Sequence, residues 1–462
     1  MMWPLRRPAL RWPRVPFIPG VVLALLLPVA VSNCRGTEES ANPDVVLITL
    51  DTTRADHLGV YGYERPTSPR LDAFAREAVV YERAWTTAPW TLPSHASMIT
   101  GKYPTSHGAH YDAKAGNTSI SEVLSFVPAA NFRANRLGEG EHTLAELLVE
   151  RGYVTGAFAG GHWLAPEFGL MQGYQTTTAG ARSLAGRPAS ELNTRVFAWL
   201  EQLPRDSPFH LLVNYFDAHD PYQLIEGAEP MPELMEPHPD PAIRAQIDAY
   251  DGEIRYMDHH LGELFEALKA AGRYQDSLII VVSDHGELFG EHGQFKHGPW
   301  LYEELLRAAM IVRLPAGEAA GTRVRDAVSI VDILPIVAQE VGFVLPEGVE
   351  GVPPGRRELV VAEARPHAVA LRKFGESMNR SLTSAIRWPF KLVASSRGGR
   401  DFFRLDDDPG ELRPLGLGAE MESLAADLEA LQASMRAPER SERAKAASSE
   451  TEENLRALGY IE

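Results

Sequence analysis

Val45-Val-Leu-Ile-Thr-Leu50, followed at once by Asp51, is a continuous β-branched and apolar run of the length expected for a strand covered on both faces. Two further runs have the same character, Phe209-His-Leu-Leu-Val-Asn-Tyr-Phe216 and Leu278-Ile-Ile-Val-Val-Ser283. Helical patterns lie between them, from Thr143 to Arg151 and from Asp248 to Ala271. Strands alternating with helices predict an α/β fold with a large, mainly parallel sheet flanked by helices. Each strand also ends in residues that carry chemistry: Asp51 after the first, Asp217-Ala-His219-Asp220 after the second, Asp284-His285 after the third. Open α/β sheets bind ligands beyond the carboxyl ends of their strands. Three strands delivering Asp and His to that edge predict one site.

The 462 residues suffice for one large core and a smaller appendage. A formal charge of −17 argues against nucleic acid as a partner, while a locally positive pocket still admits an anionic substrate. Arg6, Arg7, Arg11 and Arg14 precede an apolar run from about Phe17 to Val31, short for a membrane span and typical of a targeting segment. The run ends at Val31-Ser-Asn-Cys34, and Cys34 is the single cysteine, so no disulfide forms within the chain. Residues 1–34 resemble a bacterial lipoprotein signal, which implies a cell-envelope protein held at the membrane through a lipidated Cys34, or else a secreted or periplasmic one.

Beyond it, residues 35–43 read as a polar tether, 44–345 as the main domain and 355–436 as a C-terminal subdomain after the Gly/Pro-rich stretch that follows Gly342. Residues 437–462 read as a polar tail, 437–451 as its mobile part, and the stretch from about Lys114 to Gly140 as a surface insertion. In the subdomain, Leu359-Val-Val-Ala, Ala385 through Val393 and Phe402 through Glu411 predict a small antiparallel sheet, and residues 419–436 an amphipathic helix.

Several separated blocks resemble the sulfatase family of the alkaline-phosphatase superfamily. Leu50-Asp-Thr-Thr-Arg-Ala-Asp-His-Leu-Gly59 resembles its first metal-binding block, and Ala88-Pro-Trp-Thr-Leu-Pro-Ser-His-Ala-Ser-Met-Ile-Thr-Gly101 its nucleophile block. Tyr215-Phe-Asp-Ala-His-Asp-Pro-Tyr222 is similar to the block with a substrate-binding histidine, and Val282-Ser-Asp-His-Gly-Glu287 to the second metal block. The order of blocks is the family's, from about residue 44 to the C-terminus. This resemblance implies an alkaline-phosphatase/sulfatase-like fold and a metal-dependent hydrolase of sulfate or phosphate esters, its substrate a small molecule, glycan or lipid ester.

In the family signature the nucleophile is a Cys or Ser oxidised to formylglycine, with an Arg four residues on; this chain has Thr91 and His95 there. Oxidising a threonine side chain yields a ketone rather than an aldehyde, and Cys34 lies far from the block, so formylglycine chemistry is excluded. Thr91 is expected to act as a hydroxyl nucleophile at the N-terminal edge of a helix over Pro93 to Thr100, where the dipole favours an oxyanion. The plain alternative is a threonine helix cap.

The resemblance further implies that Asp51, Asp284 and His285 hold one divalent metal ion, with the Thr91 oxygen as an additional ligand. Thr52 and His285 stand where calcium-holding members typically carry Asp and Asn, and a nitrogen ligand moves the preference from calcium towards zinc or manganese. A second metal on Asp217, His219, Asp220 and His297 fits the spacing less well. His219 and Lys296 match family groups around the substrate, and His95 is expected to hold the nucleophile or a substrate oxygen. His162, Thr52 and His297 are further candidates for substrate contact, although Gly160 stands where the family has a lysine near that histidine. Other readings are a phosphodiesterase or phosphonate monoesterase, a phospho-group transferase, and a non-catalytic lipoprotein that binds an anionic glycan.

Overall fold

A computed structural model describes residues 42–111, 134–180, 183, 185–222, 231–235, 237–366, 368–416, 418–438 and 448–458. The targeting segment, most of the tether and most of the 114–140 insertion lie outside the described residues. Among the described residues, no helix is long and apolar enough to cross a membrane.

Eight strands form the central sheet: β1 (Val45–Leu50), β2 (Val79–Tyr81), β3 (Val154–Ala159), β4 (Thr176–Thr178), β5 (Phe209–Tyr215), β6 (Leu278–Ser283), β7 (Met310–Arg313) and β8 (Arg323–Val324). Their spatial order is β8-β2-β7-β6-β1-β5-β3-β4. Every neighbouring pair is parallel except the two that involve β7. The expected mainly parallel sheet is therefore present, with β1 at its centre.

Side chains of β1 alternate between two cores, as strand geometry requires. Val45 and Leu47 face a core shared with helices α2 (Thr91–Thr100), α3 (Leu144–Val149) and α6 (Ile333–Val341). Val46, Ile48 and Leu50 face the other, built with α1 (Pro69–Ala75), α4 (Ala189–Leu200) and α5 (Pro241–Ala270). The long helix α5 offers Tyr250, Ile254, Met257, Leu261, Leu264 and Leu268 to that core at helical spacing. By the same alternation Thr49 and Asp51 belong to the α2 side of β1.

The C-terminal sheet is antiparallel, β9 (Val360–Ala364), β10 (Leu382–Arg387), β11 (Phe390–Ser395) and β12 (Arg400–Arg404) in sequential order. The run from Ala385 to Val393 is not one strand. It folds back at Trp388-Pro389, pairing Arg387 with Phe390, because proline has no N–H for a ladder. Helix α7 (Ala419–Ser434) sets Met421, Leu424, Ala425 and Leu428 on Val361, Ala385, Leu392 and Phe402. Buried Lys391 ties this sheet to the main body, its Nζ 2.9 Å from carboxylate oxygens of both Glu303 and Glu411. Within the polar tail, Ser449–Ala457 form helix α8, and Leu455 is fully buried in the α2-side core. Thr451 and Asn454 are buried beside it, and the helix's other faces are polar.

Candidate active site

Register brings the carboxylates together. Leu50 is paired with Tyr215 on one side and Ser283 on the other, so the chain leaves β1, β5 and β6 at the same level. Asp51 and Asp284 thus emerge from adjacent strands, which run about 4.8 Å apart. Ligand atoms of Asp51, Asp284 and His285 lie within 4.8 Å of one another, and all three residues are fully buried.

Thr91 reaches this cluster from α2. Its Oγ1 is 3.3 Å from Nε2 of His285. The helix begins after Trp90 in extended conformation with no side-chain cap, so the Thr91 hydroxyl is not spent as a helix cap. His285 Nδ1 lies 2.9 Å from the Gly286 carbonyl and must donate to it. Burial holds the imidazole below its ordinary pKa, so the ring is neutral and its bare Nε2 accepts from Thr91 or binds a cation.

The carboxylates are held through one oxygen each. Asp284 Oδ1 accepts from the N–H groups of Thr52 and His285, and Asp51 Oδ2 from Asn214 Nδ2. The remaining oxygens, Asp284 Oδ2 and Asp51 Oδ1, are buried without a hydrogen bond. Buried acceptors of that kind are expensive unless a cation or donor satisfies them. Burial pushes the Asp284 carboxyl up to about 8, and burial together with the Asp284 charge holds Asp51 well above the carboxylate range. Two orphaned carboxylate oxygens, a bare imidazole nitrogen and a hydroxyl are a donor set that fits a divalent cation.

His95 lies behind Thr91, against the backbone of the expected nucleophile rather than in the pocket. Its Nδ1 is 3.0 Å from the Thr91 carbonyl, its Nε2 3.0 Å from Thr49 Oγ1, and burial lowers its pKa to about 4. It is a neutral strut that fixes the Thr91 backbone to β1, with its hydrogen-bonding atoms turned to protein rather than substrate. Thr52 also departs from a substrate role. Its backbone has φ +51°, its N–H holds Asp284, and its hydroxyl donates to the carbonyls of Asp51 and Ala218.

The remaining predicted residues sit together beside the cluster. His297 lies 4.5 Å from the His285 ring and 5.2 Å from that of His219, and its Nδ1 is 3.1 Å from Glu287. His219 stacks on Phe216 at 4.3 Å and donates Nδ1–H to the Asp220 carbonyl, while burial holds it well below its ordinary pKa. Lys296, half exposed, pairs with Asp220 at 2.8 Å. His162 meets the same Phe216 ring edge-on. A Cβ at Gly160 would lie 2.9 Å from the Arg187 carbonyl oxygen, which leaves a lysine there no room. Asp217 turns away to accept from Ala189 N–H, so among the described residues Asp217, His219, Asp220 and His297 form no metal-competent group.

Sequence reasoning missed Asn214 and Glu287. Asn214 interrupts an apolar strand, a visible signal; its amide holds Asp51 and Thr49 and accepts from Gly161 N–H. Glu287, fully buried and pushed up to about 7 by burial, accepts from Tyr222 and His297. Only its position in the Asp284 block hinted at that role.

A parallel sheet presenting a threonine hydroxyl, two carboxylates and an imidazole at its carboxyl edge defines an α/β ester hydrolase. The chain belongs to the sulfatase family, whose model matches residues 43–343. It is 25% identical over 441 residues to an arylsulfatase of Clostridium perfringens, covering 81% of this chain and 90% of that one. It is 23% identical over 360 residues to an ulvan-active sulfatase of Formosa agariphila, covering 71% and 69%. Among solved structures, the phosphonate monoester hydrolase of Agrobacterium radiobacter has the same fold, with a TM-score of 0.64 and 19% identity over 85% of this chain and 96% of that one.

Proposed function

We propose that this hydrolase uses Thr91 as its nucleophile and one divalent ion, zinc or manganese, held by Asp51, Asp284 and His285. The observation that carries the reading is the Thr91 hydroxyl 3.3 Å from His285 Nε2, beside two buried carboxylate oxygens without partners. A bound divalent cation supplies Lewis-acid stabilisation of negative charge on the ester oxygens and eases ionisation of a neighbouring hydroxyl. The chain's own groups supply the rest. His95 and the α2 backbone hold Thr91 in place, and Lys296 meets an ester oxygen at the pocket side.

Thr91 gives up its hydroxyl proton to solvent, Oγ1 attacks sulfur or phosphorus, and the bond from that atom to the leaving oxygen breaks. The leaving alcohol takes a proton. His219 Nε2 carries none while the ring is neutral, and a bound anion shifts it towards the imidazolium that donates. Water then attacks the threonine ester at sulfur or phosphorus and regenerates the hydroxyl. A threonine adduct has no second hydroxyl on Cβ, so it cannot collapse by cleaving its own C–O bond. That restriction favours phosphate or phosphonate esters over sulfate esters. The arginine-rich segment ending at Cys34 supports a location in the bacterial cell envelope.

The test uses full-length protein in detergent, loaded with zinc or manganese, on 4-nitrophenyl sulfate, phosphate, phenylphosphonate and a phosphodiester, beside Thr91→Ala. Turnover of at least one ester, lost in Thr91→Ala, is expected. Undiminished turnover in Thr91→Ala removes the nucleophile assignment, and no turnover on any ester with no metal retained favours an anion-binding protein.

A further inference from the structure

A cavity opens beside the site, and most of its wall is apolar. His219, Asp220, Lys296 and His297 line one part, and Trp90, Tyr111, Phe295, Trp300, Phe374 and Leu458 line most of the rest. Trp90 immediately precedes Thr91, so this wall begins one residue from the proposed nucleophile. Trp90 is held firmly, stacked on Tyr111 at 4.3 Å and edge-on to Trp163 at 5.0 Å. Trp300 packs edge-on against Phe374 at 5.2 Å. The last piece comes from the far end of the chain. Leu455 is fully buried, α8 packs on the His162–Leu164 turn, and this anchorage carries Leu458 to the cavity.

We propose that this cavity is the leaving-group subsite, that it takes an alcohol with a flat apolar body such as an aryl group, and that the C-terminal helix is a specificity-determining part of it through Leu458. The proposal rests on the hydrolase reading above for what enters the cavity. The geometry favours an apolar occupant because the charged lining is gathered at the ester end, where Lys296 is already paired with Asp220; beyond it, among the described residues, Lys373 is the one charged lining residue, and it is exposed. Rigid aromatic surface is best matched by a ligand with flat apolar faces. A polyhydroxylated leaving group would lose hydrogen bonds to water there without regaining them.

The test compares wild type, Leu458→Ala and Phe295→Ala as full-length, metal-loaded proteins. Phe295 is 43% exposed, and Leu458 is the half-buried residue that follows the last turn of α8, so neither truncation removes a buried anchor. Two measurements are made: binding of 2-naphthol by quenching of tryptophan fluorescence, and kcat/KM on 2-naphthyl and ethyl esters of whichever oxyanion is hydrolysed. Both variants are expected to weaken naphthol binding and lower kcat/KM for the naphthyl ester about five- to tenfold, with the ethyl ester unchanged. Failure of wild type to bind naphthol, unchanged affinity in both variants, or equal losses on both esters would overturn the proposal. Naphthol binding that depends on Leu458 in a protein that hydrolyses no ester would sustain the subsite while removing the hydrolase reading.

Discussion

Asp284→Asn should stabilise the protein once metal is chelated and destabilise it, relative to wild type, when metal is present. Asp284 is fully buried, and only Oδ1 has hydrogen-bond donors. Its folded pKa of about 8 stands above the ordinary 3.8. The folded state therefore binds a proton that the unfolded chain releases, and stability without metal falls as pH rises from about 4 to about 8. At pH 7, roughly three pH units above the ordinary value at about 1.4 kcal/mol each give a cost on the order of 4 kcal/mol. Asparagine keeps an acceptor for the Thr52 and His285 N–H groups and places an amide 3.5 Å from His285 Nε2, where the carboxylate oxygen lay. It carries no charge to desolvate. Thermal unfolding in EDTA should show the variant more stable at pH 8 and the two proteins converging towards pH 5. Manganese or zinc at a thousandfold excess over its Kd should then stabilise wild type by about 4 kcal/mol and the variant far less. A variant that unfolds earlier than wild type in EDTA at pH 8, or equal stabilisation of both by the cation, would refute the assignment of Asp284 as a ligand.

Asn214→Ala removes the amide that orients Asp51, and calorimetric titration with zinc should show affinity about 10- to 100-fold weaker. Lys391→Met leaves Glu303 and Glu411 buried without their shared cation. Urea denaturation should show a loss of about 3–5 kcal/mol, partly restored by adding Glu411→Gln. Asp258 caps α1 by accepting from the Arg70 and Leu71 N–H groups, and burial raises it to about 7. Protonation therefore favours the fold, and this residue's cost grows as pH rises from about 4 to about 7. Asp258→Asn should flatten the pH dependence of unfolding across that window, measured as the difference from wild type.

The sequence by itself determined the sheet, its main strands and the edge where the site lies. Strands buried on both faces are written mainly in apolar residues, and Asp51, Asp284 and His285 follow such runs directly. Local chemistry likewise sufficed to exclude formylglycine at Thr91. Tertiary structure decided what each polar side chain does. His95 and Thr52 share their blocks with the site, yet helix α2 sets His95 against Thr49 and a left-handed backbone turns Thr52, so both meet carbonyls and hydroxyls of the protein. Asn214 and Glu287 acquire roles only because β5 lies in register beside β1 and the chain after β6 folds back on Tyr222 and His297. The polar C-terminal stretch shows the same limit. Its composition describes the faces of α8 that meet water, whereas Leu455 and Leu458 become informative only when a core and a cavity from distant parts of the chain stand opposite them. Periodicity is written along the chain, but the partners that satisfy a buried hydroxyl, amide or carboxylate are chosen across it.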